Sequence, residues 1–460
     1  MLNRVVGRPK AFICNTWNCF PTFGQDNTEK IHNVDAKKSQ RCDHIYPEVL
    51  SAIKCNSLMK PKYGGPFDRF KLQVFTTGGM FSSNSKALLD LRGSARNFTT
   101  STEFHSNVVK VYNGIADEFV EYLVDLSNKS HDGSISDIIQ HLYHWSLENF
   151  FHSIFNERVD RFRETRLTVC NEMVKSGLLF LNSLVESKRC PSMYEQLSNE
   201  KLFFYQFSRE YVNAALNIGL NKRPLPKEPS LLDELLRDPS WTRSAMAIFT
   251  AELVATGFLT TAVATCNILY TLGQNESLQD MLFYELSRFF PFVGSILVEE
   301  DHIKHQLRFL EHCCKESLRL FPATVNNGRL ITKEGLYPKI LLNATHVDHI
   351  INPDYVVLII RQKPNRRYDY ILDPEMFQPE RYIKREYHSV GNIWVATSDD
   401  YGATGCLGIV VTSLQTSILL AKLLRQYRVV TKSPDILTTK SKLINVSEKP
   451  VNIKFIRRAM

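Results

Sequence analysis

The chain has 460 residues, 43% of them hydrophobic, which is enough to bury a large core. Its net charge of +8, from 56 basic and 48 acidic residues, is scattered rather than gathered into a stripe interleaved with aromatics, which argues against nucleic-acid binding. Ten cysteines without a Cys-x-x-Cys spacing exclude a zinc ribbon, a thioredoxin-type motif and a small disulfide scaffold, and point to mostly reduced thiols in an intracellular compartment.

In chain order, the first 25 residues carry Arg4, Arg8 and Lys10 and no acid before Asp26. Residues 1–30 therefore read as a possible mitochondrial import segment, although serine is absent and Pro9 and Pro21 interrupt an amphipathic helix. No linker or repeat divides the rest, so a single domain over 31–460 is expected. Residues 107–129 place apolar side chains at helical spacing. A long apolar helix is predicted from Pro239 or Ser240 to about Leu272, with Asp238 as N-cap and Gly273 as C-cap. Helices follow over 277–290, opened by a capping-box-like Ser277–Asp280 pair, and over 302–320, stopped by Pro322. The stretch 323–361 suits short strands, and 407–427 is apolar with a helical period. No run of about 18 apolar residues is present, so a membrane-spanning helix is not expected. The clusters Arg361–Arg367 and Lys440/Lys442 read as basic surface, with docking of an acidic protein or an anionic membrane as the alternative.

Four motifs carry candidate chemistry. Glu316 and Arg319 lie three apart on a predicted helix, where a carboxylate and a guanidinium share a face; a solvated surface pair is the plain alternative. The loop Phe377–Tyr382 (FQPERY) offers Arg381. Tyr401–Gly408 (YGATGCLG) sets Cys406 among glycines immediately before an apolar helix. A thiolate there gains from the helix dipole and free N–H groups, although a cysteine can also be a small buried hydrophobe. Thr256–Thr261 (TGFLTT) sits inside the longest helix. His302, His305, His312, Cys313 and Cys314 suggest a zinc cluster, but the last three lie on diverging helix faces.

The ordered set of motifs resembles the cytochrome P-450 superfamily over about residues 105–458, most closely between 245 and 430. The resemblance implies a mainly α fold with small β-sheets, a single helical domain around a buried haem b. It implies Cys406 as the sulfur ligand of the iron, an axial thiolate that pushes electron density onto the metal. Gly402 and Gly408 would let backbone approach the flat macrocycle. Glu316, Arg319 and Arg381 would form a buried network behind the haem. TGFLTT matches the oxygen-activation motif, in which Gly257 would leave room for a small ligand and Thr260 would hydrogen-bond it; Thr260 could instead bond a carbonyl of its own helix.

Departures from the family pattern are Leu259 at its acidic position, Thr404 and Asp399 near the cysteine, and Leu88 where the pattern has tryptophan. Arg92 and Arg329 then remain as candidates for the haem propionates. The strings NNGRLITKEG (326–335), FQPERY and LLRQYRVV (423–430) most resemble the animal mitochondrial branch. That branch implies a ferredoxin-type iron–sulfur electron donor, with a flavin reductase as the alternative, and a hydrophobic, steroid- or sterol-like substrate. It also implies peripheral attachment to the inner mitochondrial membrane, with the endoplasmic reticulum as the alternative. Lys315 matches one ferredoxin-docking position, but Glu311 replaces its basic neighbour and Ile409–Val410 replaces an Arg pair. The expectation is a haem-thiolate monooxygenase; the alternatives are an impaired haem- or lipid-binding relative and a helical interaction protein without haem.

Overall fold

A computed structural model describes residues 11–12, 59–60, 86–159, 167–186, 203–210, 212–214, 227–238, 241–292, 297–324, 326–331, 339–342, 347–350, 356–360, 364–366, 368, 371–383, 406–432, 437, 439–441 and 444–458. The expected import segment, Gly402, Thr404, Asp399 and the side chains of Leu88 and Arg329 lie outside the described residues.

Helix α1 spans Lys86–Thr99 and α2 spans Thr102–Lys129. Ser101 caps α2 by accepting from the Phe104 N–H at 3.2 Å, so the helix begins five residues before its apolar stripe was expected to start. Phe104, Val108, Tyr112, Ile115, Phe119 and Leu123 then bury one face at spacings of three and four. Helices α3 (Ile138–Phe155), α4 (Leu167–Glu186) and the short α5 (Leu231–Leu235) follow. Helix α6 runs Arg243–Gly273 and is buried over most of its circumference, as is α3, which packs along it.

The beginning of α6 differs from expectation. Thr242, not Asp238, is its N-cap, its hydroxyl accepting from Ala245 N–H at 3.1 Å. Gly273 is the last helical residue rather than a cap, and its lack of a side chain has a tertiary cause: an added Cβ would lie 2.9 Å from the Thr431 backbone nitrogen and against its hydroxyl. Helix α6 is the one helix among the described residues long and apolar enough to cross a membrane, yet 78% of its apolar window is buried inside the protein.

Helix α7 spans Glu276–Phe289 and α8 spans Arg308–Leu320. The predicted Ser277–Asp280 box does not form. Asn275 is the N-cap position, and Asp280 instead accepts from Arg428 at 2.7 Å and Arg458 at 2.9 Å. The single helix expected over 302–320 is also divided. A π-helical turn, His302–Gln306, gives way at Leu307 (φ −85°, ψ 57°), and α8 starts afresh. The break is imposed by the neighbouring helix: Glu285 of α7 accepts from the N–H groups of Phe309 at 2.8 Å and Leu310 at 3.1 Å, capping α8 from outside. Helix α9, Ile409–Gln426, ends the helical part, tied to α2 by the buried Lys422, which reaches the exposed Asp117 at 2.6 Å.

The strands form small sheets at the margin. Strands β1 (Ala11–Phe12), β2 (Met59–Lys60), β4 (Asn326–Ile331) and β7 (Val356–Ile360) pair in the order β1-β7-β4-β2, with Asn326 opposite Ile360 and only the β1–β7 pair parallel. Strand β3 (Ser134–Ile135) joins β8 (Tyr427–Thr431) and β11 (Ile453–Arg457) in the order β3-β11-β8. Strands β5 (Lys339–Leu342) and β6 (Val347–Ile350) form one hairpin, and β9 (Thr439–Ser441) and β10 (Asn445–Ser447) another. The predicted mainly α architecture with short strands over 323–361 is the one observed.

Gly273→Ala tests the close approach of α6 to β8. Alanine gains about 1 kcal/mol in helix propensity, but overpacking against backbone costs about 1–3 kcal/mol. The expected net result is a lower denaturation midpoint; an unchanged or higher midpoint would show that β8 yields.

Candidate functional site

The site is assembled on three helices, α6, α8 and α9. On α8 the three-residue spacing brings Glu316 and Arg319 together as a bidentate pair, Arg319 Nε donating to Oε2 and Nη2 to Oε1, both at 2.8 Å. Neither is at the surface: Glu316 is 0% and Arg319 1% exposed. Arg381 lies within a 3-10 turn, Pro379–Tyr382, and donates its Nε to Glu316 Oε1 at 2.9 Å. The Gln378 N–H adds a fourth donor at 3.0 Å.

Two guanidinium groups facing one carboxylate leave donors to satisfy, and the loop supplies carbonyls. Arg319 donates to Asn365 O at 2.7 Å and Pro374 O at 2.6 Å, and Arg381 donates to Leu372 O at 2.9 Å. Asn365 and Arg366 belong to the cluster read as basic surface. Here Asn365 is buried, while Arg366 bonds Leu320 O at 2.7 Å and lies over the Phe321 ring.

Helices α6 and α9 are held side by side by hydroxyl pairs, Thr261–Thr412 at 2.7 Å and Thr265–Thr416 at 3.0 Å. The Phe150 ring of α3 wedges between them. An added Cβ on Gly257 would lie 2.7 Å from its Cδ1, and one on Gly408 would lie 3.6 Å from its Cζ. Gly257 is thus the place where the Phe150 ring comes closest to the α6 backbone. Gly408 is the N-cap residue of α9. Cys406 lies two residues before this turn, whose Thr412 is bonded to Thr261 of α6.

Between Ala245 and Leu272, the positions of α6 that are not buried are Leu253, Thr256, Gly257 and Thr260. They form one accessible stripe at helical spacing. Thr260 donates to the carbonyls of Thr256 at 3.0 Å and Gly257 at 3.2 Å, so its hydrogen is used within its own helix while its lone pairs stay available. Leu259 points elsewhere, into contact with Gly177 of α4, and is fully buried. Thr256 and Phe150 were missed by sequence reasoning; the three- and four-residue spacing from Thr260 was the available signal for the first, and none existed for the second.

The cysteines sort by environment. Burial pushes the thiols of Cys266 and Cys313 up, and that of Cys314 up to about 12, which keeps them protonated and poor ligands. Cys406 is exposed, two residues before the N-cap Gly408 of α9. Arg92, on α1, has its guanidinium buried. A soft donor at an open position and a buried cation are the chemistry that a thiolate-held, propionate-bearing haem requires, so the residues present fit that group. Among the described residues no cluster of three or more His, Cys, Asp or Glu is arranged to hold a separate metal ion, the suggested zinc cluster included.

The Cytochrome P-450 family model matches residues 62–456. Among solved structures, a cytochrome P-450 superimposes with a TM-score of 0.72 at 17% identity, covering 90% of this chain and 92% of that one. Similar proteins include the mitochondrial cytochrome P-450 302a1 of Drosophila melanogaster, 24% identical over 95% of this chain and 92% of the relative. Human mitochondrial sterol 26-hydroxylase is 25% identical over 75% of this chain and 66% of its own. The mitochondrial cholesterol side-chain cleavage enzyme of Macaca fascicularis is 22% identical over 96% and 87%. The chain belongs to the cytochrome P-450 family. Its cofactor is accordingly haem b held through a cysteine thiolate, and its reaction class is monooxygenation.

Glu316→Ala should strand two buried guanidinium groups, at a cost of about 3–5 kcal/mol. The expected outcome is little folded, haem-loaded protein, read from yield and absorbance. A yield and melting temperature equal to wild type would show that the loop relaxes to rehydrate both arginines.

Proposed function

We propose that Cys406 is the axial thiolate and that the enzyme inserts one oxygen atom into a hydrophobic, steroid- or sterol-like substrate. The observation that carries this reading is the exposed Cys406 immediately before α9, whose first turn is held beside α6 through Phe150 and Thr412. A haem bound there supplies the activation of dioxygen and the two-electron oxidation of the substrate. The chain's own groups do the rest. The N-terminal turn of α9 stabilises negative sulfur through its dipole and free N–H groups. Arg92 and Arg329 would neutralise the two propionates, and Gly402 and Gly408 would keep side chains off the macrocycle. Leu253 presents apolar surface along the accessible stripe. Thr256 and Thr260 present hydroxyl oxygens able to accept a hydrogen bond and hold water beside the reacting atoms.

The electron donor is proposed to be a ferredoxin-type iron–sulfur protein, and the location the matrix face of the inner mitochondrial membrane. Both rest on the mitochondrial relatives, from Drosophila to primates, and on the acid-free, basic start of the chain. Docking would be less electrostatic than two free lysines would make it. Lys315 is paired with Glu311 at 2.5 Å, and the same carboxylate also holds Arg308 at 3.4 Å.

Two outcomes are expected. Reduced, carbon monoxide-treated protein should show the red-shifted Soret band of thiolate-held haem, and Cys406→Ala should abolish it; a band retained in Cys406→Ala overturns the ligand assignment. A sterol panel should contain members that shift the resting Soret band, which would identify the substrate class.

A fusion of residues 1–40 to a fluorescent reporter should enter mitochondria. A reporter that stays in the cytosol or reaches the endoplasmic reticulum would overturn the location.

A further inference from the structure

The six threonines of α6 divide by what their hydroxyls meet. Thr261, Thr265 and Thr271 are buried, and each meets a hydroxyl of a neighbouring helix: Thr412 at 2.7 Å, Thr416 at 3.0 Å and Ser317 at 3.0 Å. Among the described residues, Thr250, Thr256 and Thr260 bond only carbonyls of their own helix. Thr250 is fully buried, whereas Thr256 and Thr260 stand at accessible positions. Buried runs over 245–252 and 261–272 flank that accessible stretch, so it belongs to the interior of the helix and not to a frayed end.

A threonine hydroxyl carries one hydrogen and two lone pairs. Thr256 commits its hydrogen to the Glu252 carbonyl at 2.7 Å, and Thr260 commits its own to the carbonyls of Thr256 at 3.0 Å and Gly257 at 3.2 Å. Back-bonding of this kind also holds χ1 of a helical threonine in place. The accessible stretch therefore offers two oxygens that accept and no hydroxyl hydrogen that donates. Leu253, one turn before Thr256, adds apolar surface, and the Phe150 ring closes over Gly257. Thr265 shows what such an oxygen takes when another helix covers it. Its hydrogen goes to the Thr261 carbonyl at 2.9 Å, so the bond to Thr416 uses the Thr416 hydrogen. An O–H donor fills the lone pair.

We infer that Thr256 is a specificity-determining residue for a substrate that presents an O–H donor to α6: an alcohol of the sterol-like class, whose hydroxyl donates to Thr256 Oγ1, in preference to the ketone at the same carbon. The inference rests on the haem-thiolate, sterol-oxidising reading above and narrows its substrate class. A ketone oxygen at this place sets acceptor against acceptor and leaves both without a hydrogen bond, whereas an alcohol supplies the hydrogen that Thr256 lacks. Leu253 takes the adjoining hydrocarbon.

The test uses the full, haem-loaded chain in its ferric state. Pairs of sterols that differ only by hydroxyl or ketone at one carbon are titrated, and Kd is read from the Soret shift. For at least one pair the alcohol should bind about three- to tenfold tighter than the ketone, the range for one neutral hydrogen bond. Thr256→Val keeps the side-chain shape, removes the acceptor, and should bring the two members of that pair within about twofold of each other. Thr256→Ser keeps the acceptor and should keep the preference. Thr250→Val loses the same kind of helical bond in fully buried surroundings and should also keep it; a preference lost there as well would assign the effect to the helix and overturn the inference. No alcohol preference in wild type, or one unchanged in Thr256→Val, overturns the inference and leaves the haem-thiolate reading standing. If Thr256→Val does not load haem, Thr256→Ala takes its place with the same two outcomes. A thiolate-haem protein whose Soret band no sterol shifts would overturn the proposed substrate class and this inference together.

Discussion

The burial of Glu316 is the constraint on which the rest of the structure depends. A carboxylate removed from water is tolerable only if its oxygens are filled, and here four N–H groups converge on it from Arg319, Arg381 and Gln378. That solution creates a second demand, because two guanidinium groups now sit in the interior with one carboxylate between them. Their remaining hydrogens are taken by backbone carbonyls of Asn365, Leu372 and Pro374. An irregular loop is thereby wound around a charged centre and given a defined path, with short 3-10 turns at Pro364–Arg366 and Pro379–Tyr382. Helix α8, which carries the pair, is in turn started by Glu285 from α7.

Close approach of helices provides the complementary constraint. Three glycines mark places where another element presses on backbone: Gly257 under Phe150, Gly177 under Phe258 and Leu259, and Gly273 under Thr431. Such contacts bring α6 near enough to α9 for two threonine pairs to bridge them. A hydroxyl pair between apolar helices is a directional contact in a region where packing alone would allow sliding, and so it sets the register of Cys406 along α6. The position of the candidate ligand is thus a result of packing two turns away from it.

The two constraints divide the labour of the site. The charged centre behind α8 holds the loop side, and the packed glycines and threonines hold the helix side. Between Ala245 and Leu272, four positions on α6 stay accessible while the rest are buried. The departures at 259 and 311 leave this framework unaffected. Leucine at 259 adds to the α4 contact, and glutamate at 311 neutralises its two basic neighbours on an exposed face.

What was legible in the sequence was local or ordered along the chain. The amphipathic stripe of α2, the length of α6, the helix after Cys406 and the pairing of Glu316 with Arg319 depend on spacings of three and four, which a helix converts directly into geometry. The order of the four motifs identified the family and with it the cofactor. The sequence could not reveal contacts whose partners are far apart in the chain. The role of Gly257 depends on Phe150, the break at Leu307 on Glu285, and the inward turn of Asn365 on the unfilled donors of Arg319. A local pattern has no term for a neighbour supplied by another helix, so the sequence by itself determined which elements form and which chemistry they carry. Tertiary structure alone decided which of those residues are packed away and which are left facing the opening, because burial is a property of the assembled helices and not of any one of them.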